Sequence, residues 1–208
     1  MRYTPEICGL VLAGGKSERM GVDKGLLNLH GESMREYMVR QLGYVCPKVY
    51  TSCRHEQQVP RWLNPILDDQ FTSGPLNGLL SAFNHDPRCA WFTVAVDMPY
   101  VNTMVLRSLI TQRDPAAMAT CYYNNSFDGP EPFLTIWEPS SFPGLKKFVA
   151  SGNSSPRHFL CENHVKLCIP VSQEIFRNLN NPDDIMELTE VCEGRLKLKE
   201  CPAIPLWS

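Results

Sequence analysis

The sequence predicts an α/β protein: one domain built as a three-layer α/β/α sandwich around a mostly parallel, Rossmann-like sheet. Short apolar runs at 7–12, 48–52, 65–67 and 91–96 alternate with segments of helical periodicity, the pattern of successive βα units. Three of these runs end in a Gly-Gly turn, an Asp-Asp pair and a lone aspartate. Open α/β sheets bind ligands beyond such carboxyl ends. The chain has 208 residues, 43% of them hydrophobic, enough for one substantial core.

Each element has a local reason. Ile7–Leu12 is an unbroken apolar run and reads as a buried strand. Ser33 and Glu36 form a capping box that opens a helix with Met34, Tyr37, Met38 and Leu42 on one face. Lys48–Ser52 is the second strand, and Pro65–Leu67 a short third one ending at Asp68-Asp69. Gly74-Pro75-Leu76-Asn77-Gly78 starts a helix that turns Leu79, Leu80 and Phe83 inward. Trp91–Val96 is the clearest central strand and stops at Asp97-Met98-Pro99. A helix over Thr103–Gln112 and a strand over Ala116–Cys121 follow, and 124–130 is a turn-rich loop. Phe133–Trp137 reads as a strand and Phe142–Ala150 as a helix. Ser155 caps a short helix from Pro156 to Leu160, and Val165–Ile169 is a late strand. Asn181 marks a last helix start, running to about Glu190. The domain is expected over 1–190, with 191–208 as a tail that packs through Leu206 and Trp207.

Composition excludes several classes. The net charge of −2 carries no basic excess for nucleic acid or an acidic membrane. No apolar run approaches the roughly 20 residues of a membrane span, and the N-terminus lacks a signal-type core. Nine cysteines occur at irregular spacing with no Cys-x-x-Cys pair, so neither a zinc ribbon nor a redox dithiol is expected. Cys8, Cys89 and Cys121 read as small buried hydrophobes. A reducing, cytoplasmic compartment is the simplest expectation. The five histidines have no helical metal-ligand spacing.

The chemistry concentrates at 12–24, Leu-Ala-Gly-Gly-Lys-Ser-Glu-Arg-Met-Gly-Val-Asp-Lys. A strand opening into Gly14-Gly15 lets the backbone approach an anion, and Lys16, Arg19 and Lys24 bring positive charge. The plainer alternative is a turn with solvated charges. The spacing is neither a Walker A loop nor a dinucleotide fingerprint. Asp97 sits at a strand tip. A carboxylate beside phosphates demands a cation, and Mg²⁺ takes one or two carboxylates with phosphate oxygens and water; the alternative is a turn or capping aspartate.

The long loop motif, with Gly25-Leu26-Leu27 after it, resembles the molybdenum cofactor guanylyltransferases among MobA-like NTP transferases. Gly14-Gly15 and Asp23 favour the guanylyl branch over the cytidylyl one. The resemblance spans about residues 6–190 and implies a fold of the nucleotide-diphospho-sugar transferase type. It implies transfer of GMP from GTP to molybdopterin with release of pyrophosphate, and contact with other molybdenum-cofactor proteins. Leu12, Ala13, Gly14 and Gly15 would bind the nucleotide through their backbone, with Gly78 in the Gly-Pro-Leu-x-Gly segment. Arg19, Lys24 and Asp97 would be catalytic, Asp97 binding Mg²⁺. Asp69, preferred to Asp68, would accept the N–H groups of guanine. Arg157, Asn178 and Asn180 would face the pterin. Thr51 stands where relatives often carry Asn, and Glu131 precedes Pro132 where Gln or His is usual. Two other readings stay open: the same transfer with CTP or a sugar phosphate, and a nucleotide-binding protein without turnover.

Overall fold

The structure, a computed structural model, describes residues 4–14, 23–29, 31–69, 74–179 and 184. Its strands are β1 (Ile7–Leu12), β2 (Lys48–Cys53), β3 (Pro65–Leu67), β4 (Ala90–Ala95), β5 (Ala119–Asn124), β6 (Gly129–Trp137) and β7 (Val165–Cys168). Its helices are α1 (Met34–Gly43), α2 (Pro75–His85), α3 (Thr103–Thr111), α4 (Phe142–Ala150) and α5 (Pro156–Glu162). The strands form one sheet in the order β3-β2-β1-β4-β6-β5-β7. All pairings are parallel except those of β6, which runs antiparallel to both β4 and β5.

Strand alternation divides the core into two layers. On one face, Val11, Phe92 and Val94 meet Met34, Met38 and Leu42 of α1 and Leu106 and Leu109 of α3. On the other, Cys8, Leu10 and Trp91 meet Leu79, Leu80 and Phe83 of α2, Leu145 of α4 and Phe159 of α5. The three-layer sandwich is therefore as expected. Every residue of β4 is buried, which is why it reads as a continuous apolar run. Thr93, the polar exception, donates to the Thr135 carbonyl at 3.1 Å and accepts from Trp137 Nε1. The Ser33/Glu36 capping box forms as expected and contributes on the order of 1 kcal/mol. Cys8, Cys89 and Cys121 are buried free thiols. No helix among the described residues is long and apolar enough to cross a membrane.

Two strands depart from expectation. β5 starts three positions later than Ala116, because Asp114 closes a turn by accepting from Ala116 N at 2.9 Å and Ala117 N at 3.1 Å. β6 starts at Gly129 rather than Phe133. Its pairing with β4 covers only Leu134–Trp137, so Pro130 and Pro132 lie where the missing N–H breaks no ladder bond to that neighbour. The turn-rich loop thus shrinks to a hairpin over Asn125–Phe127, closed by Asp128 in the left-handed region. The helix expected from Asn181 and the tail 191–208 lie outside the described residues.

At the end of the sheet opposite the strand tips, Arg113 clamps Glu138 through two bonds of 2.6 and 2.8 Å and donates to the Pro5 carbonyl. Both side chains are nearly inaccessible, at 8% and 1%. Replacing Arg113 by Met strands a buried carboxylate. Urea denaturation should record a loss of about 3–5 kcal/mol.

Candidate active site

The carboxyl ends of β1 to β4 surround a cavity of about 950 Å³. It lies between β1 and β4, where the strand order reverses: β1 is followed by β2 on one side and β4 by β5 on the other, the switch point at which α/β sheets bind ligands. A separate, more open groove of about 730 Å³ runs beside α1. Its carboxylates are committed, Glu32 to Arg40 and Glu36 to Ser33.

At one end of the cavity Lys24 Nζ donates to Asp97 Oδ2 at 2.8 Å, with side chains 16% and 20% exposed. Asp97 is fixed by its backbone: its carbonyl accepts from Leu179 N at 3.0 Å, and Val96 N before it donates to the Leu12 carbonyl at 3.2 Å. Lys24 opens a 3₁₀ turn, Lys24–Leu26, capped by Asp23, whose Oδ1 accepts from Gly25 N. Asp23 Oδ2 accepts from buried Arg35 at 2.7 Å and from Gln57 Nε2 at 3.0 Å. The same Gln57 nitrogen donates to the Ala13 carbonyl at 2.8 Å. The lysine is thus presented by a polar network, not by a flexible loop.

At the other end Ser52 Oγ donates to Asp68 Oδ1 at 2.6 Å, and Asp68 N donates to the Cys53 carbonyl. Burial pushes the Asp68 carboxyl above the usual aspartate range, against the lowering effect of the Ser52 hydrogen bond and of nearby Arg54. Two glycines make room for this group. A Cβ on Gly14 would stand 2.3 Å from Asp68 Oδ2, and one on Gly78 would stand 2.2 Å from Ser52 Oγ.

The cavity brings together Leu12, Ala13, Gly14, Lys24, Gly78, Asp97 and Asn178 of the expected site residues. Asn178 Oδ1 is buried and has no hydrogen-bond partner among the described residues. Other expectations need correction. Asp68, not Asp69, lines the cavity; Asp69 is exposed, and its backbone N–H donates to Ser81 Oγ. Ala13 N donates to the Ser52 carbonyl at 3.1 Å. Thr51 is buried and donates to the Leu63 carbonyl, so its neighbour Ser52 faces the site. Arg157 does not line the cavity but stacks its guanidinium 4.6 Å over Phe127 in the hairpin. Glu131 is buried, accepting from Asn124 Nδ2 and Phe133 N, and serves the hairpin rather than the cavity. Gly15, Arg19 and Asn180 lie outside the described residues. Ser52, Gln57 and Arg35 escaped the sequence reading. Strand alternation after Val49 could have put Thr51 and Ser52 on opposite faces, but no pattern singles out Gln57.

Comparison with known proteins agrees with this architecture. The family described as the MobA-like NTP transferase domain matches residues 9–166. A molybdenum cofactor biosynthesis bifunctional protein of Synechocystis is 34% identical over 179 residues, 85% of this chain and 52% of that protein. The chain thus spans about half the length of that relative. A molybdenum cofactor guanylyltransferase of Serratia proteamaculans is 28% identical over 87% of this chain and 93% of its own. The crystal structure of molybdopterin-guanine dinucleotide biosynthesis protein A from Archaeoglobus fulgidus superposes with a TM-score of 0.74. It covers 90% of this chain and 99% of its own at 23% identity, a likeness of fold.

The tight packing around Gly78 can be tested directly. In Gly78→Ala the new methyl would turn Ser52 away and leave Asp68 without its donor. Urea denaturation should show a loss of about 1–3 kcal/mol. Gly43→Ala, where nothing lies within 4 Å of the new methyl, should not destabilise.

Proposed function

The chain belongs to the MobA-like NTP transferase family, and from that premise we propose that it transfers GMP from GTP to molybdopterin, releasing pyrophosphate. The observation that carries this reading is the presence, within one cavity, of a lysine–carboxylate pair at Lys24 and Asp97 and of a second carboxylate, Asp68, held by Ser52. The first suits phosphates that arrive with a cation, the second the N–H donors of a base.

Asp68 accepts from guanine N1–H and the exocyclic amino group, a donor pair that a carboxylate takes together. Gly14 and Gly78 allow the sugar and phosphates to lie close to the backbone. The nucleophile is an oxygen of the pterin's terminal phosphate, already anionic near neutral pH, so no side-chain base is needed. It forms a new bond to the α-phosphorus while the bond from that phosphorus to the α–β bridging oxygen breaks. Pyrophosphate departs with the electron pair. The obstacle is repulsion between two anions. Lys24, with three donor hydrogens, offsets it and orients the α-phosphate for in-line attack.

The family's divalent ion suits the residues present. Asp97 and the buried Asn178 Oδ1 are hard oxygen donors on segments joined by the Leu179–Asp97 hydrogen bond. Among the described residues no group of three His, Cys, Asp or Glu could hold a metal. One carboxylate and one amide oxygen suit Mg²⁺, which takes few protein ligands and keeps water and substrate phosphates in its shell. Bound by Asp97 and Asn178, it would supply charge neutralisation at the phosphates.

Pyrophosphate release measured over a panel of nucleoside triphosphates tests the base, and a preference for CTP or ATP would overturn guanine recognition. Asp97→Ala should reduce turnover at least ~100-fold with little change in the urea midpoint; retained Mg²⁺-dependent turnover would remove its role. Asp68→Asn should raise the KM for GTP roughly 10- to 100-fold, while Asp69→Asn leaves it unchanged. Because only ionised Asp68 accepts from both guanine donors, GTP affinity should fall as pH drops through its raised pKa. That acid limb should lie above the range of an ordinary aspartate and vanish in Asp68→Asn.

A further inference from the structure

Gln57 joins the two ends of the cavity. It sits in the segment after β2, beside Arg54 and His55, which line the cavity near Asp68. Its Oε1 accepts from Arg54 N at 2.9 Å, and its own backbone N–H donates to the Arg54 carbonyl at 3.1 Å. Its Nε2 donates to the Ala13 carbonyl at 2.8 Å and to Asp23 Oδ2 at 3.0 Å. One amide therefore binds the base-side loop, the end of β1 and the residue that caps the Lys24 turn. Both amide hydrogens and the oxygen are used, which fixes the group's orientation. Asp23 in turn holds Gly25 N and Arg35. A Cβ on Gly25 would come within 2.8 Å of the Arg35 guanidinium, so the turn is seated directly on that buried cation.

We infer that Gln57 is a positioning residue: it fixes Asp23 relative to the β2 loop and so sets where Lys24 presents its ammonium group to the α-phosphate. The inference rests on the guanylyl-transfer reading for its kinetic consequence, but not for its structural one. A lysine displaced by an ångström loses transition-state stabilisation without losing much ground-state binding. The bridge also makes turnover sensitive to how the base-side loop sits. An incorrect base acts on kcat as well as on KM.

The test compares wild type, Gln57→Ala, Gln57→Glu, Lys24→Ala and the Gln57→Ala/Lys24→Ala double variant, using GTP, Mg²⁺ and molybdopterin. Gln57→Ala should lower kcat about 10- to 100-fold with little change in the KM for GTP. Gln57→Glu should be at least as damaging. It preserves the shape but cannot donate to Ala13 and sets a carboxylate against Asp23. In the Lys24→Ala background the Gln57 substitution should change kcat by less than about twofold, because both act through one group. Rescue by Glu, or additive effects in the double variant, would overturn the assignment. A readout without turnover separates this from the proposed reaction. Acylation of Lys24 by an N-hydroxysuccinimide ester, followed by peptide mass, should quicken roughly two- to fivefold in Gln57→Ala as the Lys24–Asp97 pair loosens. An unchanged rate would overturn the role of Gln57 even in an active enzyme. Absent GTP turnover in wild type, with faster acylation in the variant, would sustain it and overturn the reaction instead.

Discussion

Lys24 and Asp97 are 73 positions apart and meet at 2.8 Å at the mouth of the sheet. Neither side chain could hold that place alone. A strand-tip carboxylate facing the cavity would repel an anion, and an unsupported lysine would stay in water. Their meeting requires β1 and β4 to be adjacent and in register, from Ile7 opposite Ala90 to Leu12 opposite Ala95. It also requires the Lys24 turn to be fixed from below by Asp23, Arg35 and Gln57. The packing of two core layers on one sheet therefore places opposite charges to within a hydrogen-bond length.

The opposite end of the cavity relies on exclusion. Asp68 is held in a space that Gly14 and Gly78 leave open, and its side-chain donor among the described residues is Ser52. Burial makes ionisation costly, and the pocket lowers part of that cost with one hydroxyl and a nearby guanidinium. Under the proposed reaction, a base that brings two N–H donors would find an acceptor there, whereas one offering an acceptor would face a carboxylate with nothing to share.

Much of the fold could be read in the residues. β1 and β3 are short apolar runs and have the expected bounds, as does α4, and α1 opens at its capping box. The start of β6 was hidden because glycine and two prolines imitate a loop, while the sheet tolerates them where β4 no longer pairs. The choice between Asp68 and Asp69 was beyond sequence, since β3 has only three residues and its alternation is too brief to orient the two aspartates after it. Thr51 misled for a related reason: β2 pairs on both sides, so a buried hydroxyl can be consumed by the neighbouring Leu63 carbonyl. Gln57 left no trace at all. A glutamine in a polar loop acquires meaning only from the three partners that folding brings to it.

The reversed direction of β6 has a consequence for the second half of the crevice. On the β1 to β4 side, β3 and β4 are followed by α2 and α3. Beyond β4, the rim is the β5–β6 hairpin, with Phe133 facing the cavity. Ser154 also lines the cavity there, just before α5 opens at Pro156. The two halves of the crevice are therefore built differently: one from the ends of parallel strands, the other from a hairpin and the approach to α5, so a change in the hairpin can reshape one half without touching the strand ends of the other.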